Sequence, residues 1–515
     1  METCFRRTGN AGNLAGTGPR RAAIATTILA LTLAGTATAA DRANPPSTGC
    51  IDEAITPSFE EQRLVNKLPG TDVPAPQRIM EAAGFQDFGP NLIRKLCARD
   101  APTNFEDATG LVKAEGRKLW RAAVDRVQGR HVSGDLPPSD DRMLYWARLT
   151  MSKALRQWQP AFAMSDEDRE SLLWEFERSS RGQDDIDFPG GNHHVRVIVS
   201  GFDPFTLGNP GSTTSTGIRI GNPSGANALS LDGVTIDLPD GKVAAIETYV
   251  LPVNYGPFMK GMQEDTLGPS FQSGPKQVDV SITVSQGGGF QFWLEQWNGR
   301  FHGPSAGNDG IALCPSAGGQ RIPPNDDCDI YPPQRWLGYD PKPWQMDKPA
   351  QFTLTSLPVA SMIAADTGAD VPPPPGAPTP QPYTVIWHTN YTVFPDCFAT
   401  PTQSFNTPVE QFPPPTPPIP PAVTACARQG GGGDYLSNES AYRNTLLRDT
   451  FKLKIPAGHI HVPVMTRFGD GAGNNQNPSA ITDPTFEAYR DTIVEQTHRL
   501  ILQAVIHRGE GAPYP

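Results

Sequence analysis

Four short stretches hold residue types that together could perform acyl transfer. A glycine run, Gly430–Gly433, leads into Asp434-Tyr435-Leu436-Ser437-Asn438, and Gly458-His459-Ile460-His461-Val462-Pro463 follows downstream. Glycine lets a backbone turn tightly, Ser437 is a nucleophile-type residue, and His461 sits in a short apolar strand pattern. Far upstream lie Ser200-Gly201-Phe202-Asp203-Pro204-Phe205 and Gln286-Gly287-Gly288-Gly289, the latter followed by Glu295. Amide hydrolysis needs a nucleophile, a base for its proton and a group that orients the base. A serine, a histidine and a glutamate make such a set.

The elements that must bring these pieces together follow from periodicity. Residues 58–181 read as a helical region. Thr103-Asn104-Phe105-Glu106 looks like a capping box with Thr103 as the cap. Further helices start near Ser139 and Ser165, with apolar residues at helical spacing. The tryptophans of this region are expected in its core. From residue 195 the pattern becomes strand and helix in alternation. Strands are expected at Val195–Val199, Lys242–Val253, Val278–Val284, Tyr383–Trp387 and Ile460–Val462, and a last helix opens at Asp483-Pro484. This order predicts an α/β fold over 195–510, a three-layer sandwich with a mixed, largely parallel sheet, preceded by the helical region. His459 is expected on the opposite side of the strand from His461, or just before the strand. The adjacent pair His193-His194 points to opposite faces of an extended chain and does not chelate readily.

At 515 residues the chain is longer than one core usually fills. Its 54 prolines and 50 glycines call for long loops, and stretches near 371–382 and 412–421 read as rigid proline-rich insertions. A net charge of −11 argues against a nucleic-acid partner. Residues 1–40 read as a signal peptide: arginines, an apolar run from Ala22 to Leu33, and Ala37-Thr38-Ala39 before a cleavage point. Residues 41–57 form an extended lead-in. Arg20-Arg21 leaves the twin-arginine and the ordinary secretory routes both open. A secreted or periplasmic protein with no membrane span after signal removal is expected. Removing Cys4 with the signal leaves Cys50, Cys97, Cys314, Cys328, Cys397 and Cys426. Sequence proximity alone suggests the pairs Cys50–Cys97, Cys314–Cys328 and Cys397–Cys426, and the lack of a CxxC argues against structural zinc.

Several motifs in one order resemble the pyroglutamyl peptidase I family. They are Gly201-Phe202-Asp203-Pro204-Phe205, Asn222-Pro223-Ser224, Val250-Leu251-Pro252-Val253, Gln286-Gly287-Gly288-Gly289, Thr355-Ser356-Leu357-Pro358, Ser437-Asn438 with Tyr442, and His459-Ile460-His461-Val462-Pro463. The resemblance implies Ser437 as nucleophile where the family has cysteine, His461 as base and Glu295 as orienting carboxylate. Amides around Gly430–Gly433 and Ser437 would form an oxyanion hole. It further implies that Phe202 and Phe205 line a pocket for a flat lactam ring and that Gln286 hydrogen-bonds it. Phe290 stands where the family has an arginine, and Glu295 needs a one-residue gap in the spacing. No metal or organic cofactor is implied. Three functions stay open: a hydrolase that removes an N-terminal pyroglutamyl or similar residue from peptides through Ser437, an inactive binder of a peptide end or lactam, and a structural protein whose helical region meets a protein partner.

Overall fold

The computed structural model describes residues 49–314, 328–330, 349–371, 383–395, 402–405, 418–465, 468–469 and 477–510. The signal expected at 1–40, part of the lead-in, Cys397 and most of both proline-rich stretches lie outside them.

Five helices come first: α1 (Ala75–Ala83), α2 (Phe88–Leu96), α3 (Phe105–Val127), α4 (Arg142–Gln157) and α5 (Asp166–Ser179). Ser165 and Asp168 close a capping box on α5. On α3 the cap is Asn104, not Thr103. The Asn104 side chain accepts from Asp107 N at 2.9 Å, while Thr103 Oγ1 donates to Asp107 Oδ2 at 3.1 Å. An amide oxygen one residue nearer the helix reaches the free N–H with less backbone distortion. Helices α1 and α2 are nine residues each, shorter than the stretch over which a helical period is ordinarily counted. Trp120, Trp146 and Trp158 are buried together in the core of this region, as their apolar bulk predicts. Cys50–Cys97 ties the segment before α1 to the end of α2, and Cys314–Cys328 closes a second bridge. Cys426 is also disulfide-bonded; its expected partner Cys397 is outside the described residues.

The α/β part follows: β1 (His194–Phe202), α6 (Pro223–Leu231), β2 (Thr235–Asp237), β3 (Val243–Leu251), α7 (Tyr255–Met259), α8 (Met262–Phe271), β4 (Val280–Gln286), β5 (Phe292–Glu295), β6 (Trp297–Gly299), β7 (Phe352–Leu354), α9 (Val359–Ala364), β8 (Val385–His388), β9 (Tyr391–Phe394), β10 (Gln403–Phe405), β11 (Cys426–Gln429), α10 (Leu436–Thr450), β12 (Ala457–Val462) and α11 (Pro484–Ile506). Seven strands form one sheet in the order β2-β3-β1-β4-β12-β5-β8. The four central strands β3, β1, β4 and β12 are parallel, β2 and β5 run against their neighbours β3 and β12, and β8 is parallel to β5. Helices α6, α9 and α11 cover one face; α8 and α10 cover the other. The mixed, mostly parallel sheet with helices on both faces is the expected α/β architecture.

The two faces differ in chemistry. On β4, Val280, Ile282 and Val284 enter the apolar core beneath α11, and Ser281, Thr283 and Ser285 face α10. Both sets are buried, so the polar set must find partners inside the protein. Ser281 Oγ donates to Asn444 Oδ1 of α10 at 2.6 Å.

The helical region shares its core with Ala228, Leu229 and Val250 of the α/β part. It also grips the turn after β1. Arg148 donates to both oxygens of Asp203, at 3.1 and 2.7 Å, and Arg181 donates to Asp203 Oδ2 at 2.6 Å, all three side chains buried. Removing one partner of a buried ionic cluster strands the others without solvent. Asp203→Ala is therefore expected to lower the unfolding free energy by about 3–5 kcal/mol, and Arg148→Ala, which leaves the Arg181 contact, by less; urea unfolding midpoints measure both.

Asp141, just before α4, accepts from Asn222 N at 3.3 Å. Burial and the neighbouring Asp140 charge push its carboxyl up to about 7. The folded protein thus keeps a proton that the unfolded chain releases near pH 4, and this group's contribution to stability falls as pH rises from about 4 to about 7. Asp141→Asn should remove that fall. Its unfolding free energy relative to the parent is expected to rise by on the order of 3 kcal/mol between about pH 4.5 and 8, in urea titrations across pH.

Candidate active site

The site is built on the polar face of four adjacent strands. Side chains two apart on a strand share a face, and the register fixes which ones meet. His461 pairs with Ser285 of β4 on one side and with Trp293 of β5 on the other. Glu295, two residues after Trp293, pairs with His388 of β8. His459 lies on the same face as His461, their ring centroids 4.8 Å apart. The expectation of opposite sides is corrected by the period of two. His459 Nδ1 meets Thr283 Oγ1 at 2.7 Å and its Nε2 meets Ser285 Oγ at 2.8 Å, so both nitrogens are occupied within the core. Burial, and then the adjacent His461, hold its pKa well below the ordinary histidine range.

Glu295 has no exposed surface. Its Oε1 meets His461 Nδ1 at 2.7 Å and its Oε2 meets His388 Nδ1 at 2.7 Å. Burial opposes its charge, but the charge and hydrogen bond of His388 and those of His461 outweigh burial and hold the carboxyl well below its usual range. Trp293 stacks on His388 at 4.4 Å and meets His461 edge-on at 5.9 Å. With Nδ1 committed to Glu295, His461 has Nε2 for proton exchange.

The glycine turn Gly430–Gly433 lies over Glu295. Gly430 N donates to Gly433 O at 3.0 Å, Gly433 N to Gly430 O at 3.1 Å, and Gly431 N to Trp297 O at 2.7 Å. Three of the four turn amides are therefore used, and the expected oxyanion donors narrow to Gly432 and the first turn of α10. A Cβ on Gly431 would stand 2.0 Å from Glu295 Oε2, and Gly433 has φ +80°. Helix α10 starts after Tyr435, whose side chain makes no cap hydrogen bond, so no side chain at that position satisfies its first-turn amides. Ser437 is in that first turn. Asn438 fixes the helix start: its Nδ2 donates to Gly299 O at 2.8 Å and Phe301 O at 3.0 Å, and its Oδ1 accepts from Gly299 N at 2.9 Å. Glu439, buried, meets His302 Nδ1 at 3.1 Å and accepts from Arg443 at 2.7 Å.

Two adjoining cavities open here. One of about 380 Å³ is lined by Gln286, Trp293, Gly431–Gly433, Ser437 and His461, among others. The other, about 50 Å³, is lined by Phe202, Phe205, Asn222, Val253, Gln286, Tyr435 and Ser437. Ser437 thus stands where the cavities meet, and it shares the larger one with His461, with no direct hydrogen bond between them. Gln286 Oε1 accepts from Met465 N at 2.9 Å, so its amide nitrogen is the group left to meet a ligand. Phe202 is both wall and core, stacked on Phe258 at 6.3 Å. All six residues singled out in the sequence line the two cavities or, for Glu295, hydrogen-bond a residue that does. His388, Trp293 and Tyr435 were missed. The strand expected at Tyr383–Trp387 stops one residue short of His388.

Residues 196–466 match the family described as "PA0049, C-terminal domain", and residues 39–177 match "PA0049 N-terminal domain". Protein PA0049 of Pseudomonas aeruginosa is 50% identical over 513 residues, covering 91% of this chain and 93% of that protein. The chain belongs to the PA0049 family. Among solved structures, a mutant pyrrolidone carboxyl peptidase from Pyrococcus furiosus is 17% identical with a TM-score of 0.31, covering 60% of this chain and 100% of its own. Pyroglutamyl peptidase I from Bacillus amyloliquefaciens is 17% identical with a TM-score of 0.32, covering 61% of this chain and 96% of its own. In this PA0049 family member, Gly431→Ala is expected to force the glycine turn away from Glu295 and to cost about 1–3 kcal/mol in urea unfolding, as overpacking of a filled interior does.

Proposed function

We propose that this protein is an exported hydrolase that removes an N-terminal pyroglutamyl or similar residue from peptides by acyl transfer through Ser437. The observation that carries the reading is the 2.7 Å Glu295–His461 hydrogen bond behind a cavity that also holds Ser437. In the proposed reaction His461 Nε2 takes the proton of Ser437 Oγ as that oxygen bonds to the substrate carbonyl carbon. The carbonyl oxygen, now negative, is met by the Gly432 amide and the first-turn amides of α10. His461 then passes the proton to the leaving amine as the carbon–nitrogen bond breaks. Water, deprotonated by the same imidazole, releases the acyl group and restores Ser437. A direct Ser437–His461 hydrogen bond is not required in the resting site, since such contacts often tighten only with substrate bound.

The smaller cavity supports the substrate class. Phe202, Phe205 and Val253 give it apolar walls, and Gln286 offers one amide donor, a fit for a small neutral ring with a carbonyl. Export is supported by the arginine-led apolar leader and by disulfides of a kind that persist in oxidising compartments. There a serine nucleophile escapes the oxidation that a low-pKa thiol invites. The second reading, a binder without turnover, is favoured by the missing Ser437–His461 contact.

Hydrolysis of a pyroglutamyl-linked chromogenic amide by the mature protein, beside Ser437→Ala and Ser437→Cys, separates the readings. Activity in the parent that falls at least about 10⁴-fold in Ser437→Ala is expected. A silent parent with an active Ser437→Cys variant would mean a site that lost its nucleophile. Silence in all three, with the amide still bound, would establish the binder.

A further inference from the structure

Glu295 serves two histidines, and the proposed reaction uses only one. Building on the reading of Ser437 as nucleophile, we infer that His388 is a positioning residue: it ion-pairs with the second oxygen of Glu295 and so limits how firmly that carboxylate holds a proton on His461.

The geometry is specific. His388 and Glu295 are register partners on parallel strands, and Trp293 stacks flat on the His388 ring. The Glu295 carboxylate lies between the two imidazoles, 2.7 Å from an Nδ1 on each side. Among the described residues, the titratable groups in direct contact with this cluster are Glu295 on β5, His388 on β8, and His461 and His459 on β12, and Tyr435 lines the cavity onto which His461 opens. The remaining close neighbours are Trp293, the hydroxyls of Thr283 and Ser285, and the backbone of the glycine turn, none of which carries charge. His459 is held neutral by burial and by His461. Burial also opposes a charge on His388, but Glu295 and the Gly431 backbone outweigh it and raise its pKa. The carboxylate of the cluster therefore favours the charged form of His388 on β8.

The chemistry of the nucleophile gives this arrangement a purpose. A cysteine site works as a thiolate beside an imidazolium, and an unshared buried carboxylate favours that protonated ring. A serine site needs the imidazole free of its proton when substrate arrives. Sharing Glu295 with a charged His388 keeps the carboxylate as an orienting acceptor for His461 Nδ1 while its charge is already matched. A second histidine on the carboxylate thus belongs with serine at position 437.

His388→Asn tests this, because asparagine keeps an N–H donor for Glu295 and removes the charge; His388→Gln serves if the first variant does not fold. Carbon-13 histidine NMR of the full chain, with the His461 signal assigned through His461→Asn, is expected to show the His461 titration midpoint rising by about one pH unit or more in His388→Asn. An unchanged midpoint overturns the inference, and this reading needs no turnover. In kinetics, the ascending limb of kcat/KM should move to higher pH by a similar amount. The loss at neutral pH should be at least about tenfold smaller in the Ser437→Cys background. Equal losses in both backgrounds would mean that His388 only supports the fold. Absence of turnover in every variant would remove the hydrolase reading, and the NMR midpoint would still decide the role of His388.

Discussion

A carboxylate with no access to water constrains everything around it. Glu295 is charged inside the sheet, and ionic groups are costly to bury unless matched and fully hydrogen-bonded. Its hydrogen bonds come from two imidazoles on neighbouring strands, one from each side. That requirement fixes the register of β5 against β12 and β8, because a slip of one residue would turn either histidine to the apolar face. It also explains the glycine above the site, since the turn passes too close to Glu295 Oε2 to carry any side chain at Gly431.

The same face of the sheet is polar along its length. Ser281, Thr283, Ser285, His459, His461 and Glu295 would be poor choices for an ordinary core. They are satisfied because α10 brings Asn444 against them and because they satisfy one another. Helix α10, which carries Ser437, is therefore held by hydrogen bonds at its start and its middle: Asn438 on the segment at Gly299 and Phe301, and Asn444 on the sheet. Directional contacts of this kind set the rotation of a helix more narrowly than apolar packing, which tolerates sliding. The position of Ser437 follows from that rotation.

Much of this was legible beforehand. The buried parallel strands announce themselves as β-branched runs, and their ends were placed within a few residues. Ser437, His461, Phe202, Phe205 and Gln286 sit in local patterns that survive as motifs, and the structure gathers them at two adjoining cavities. What the sequence concealed was pairing between strands. His388 sits at the end of β8 in an ordinary polar sequence, and its importance comes wholly from lying beside Glu295 in register. His459 was placed on the wrong side even though the strand period contains the answer. Thr103 and Asn104 are both good caps, and only the backbone distinguishes them. The short helices α1 and α2 are too brief to be stable alone and owe their stability to the tryptophan-rich core on which their apolar faces pack.

The Asp203 clamp ties two histories into one. The turn bearing Phe202 and Phe205 belongs to the α/β part, yet the guanidinium groups that neutralise it come from Arg148 and Arg181 in and just after the helices. A chain cut between α5 and β1 would leave that carboxylate stranded beside the smaller cavity, with every proposed reacting group still present. The walls of the smaller cavity and the seam between the helices and α6 in this sense rest on one ion cluster. A change at the buried seam where the helices meet α6, remote from Ser437, would therefore be felt first at the turn that carries Phe202 and Phe205.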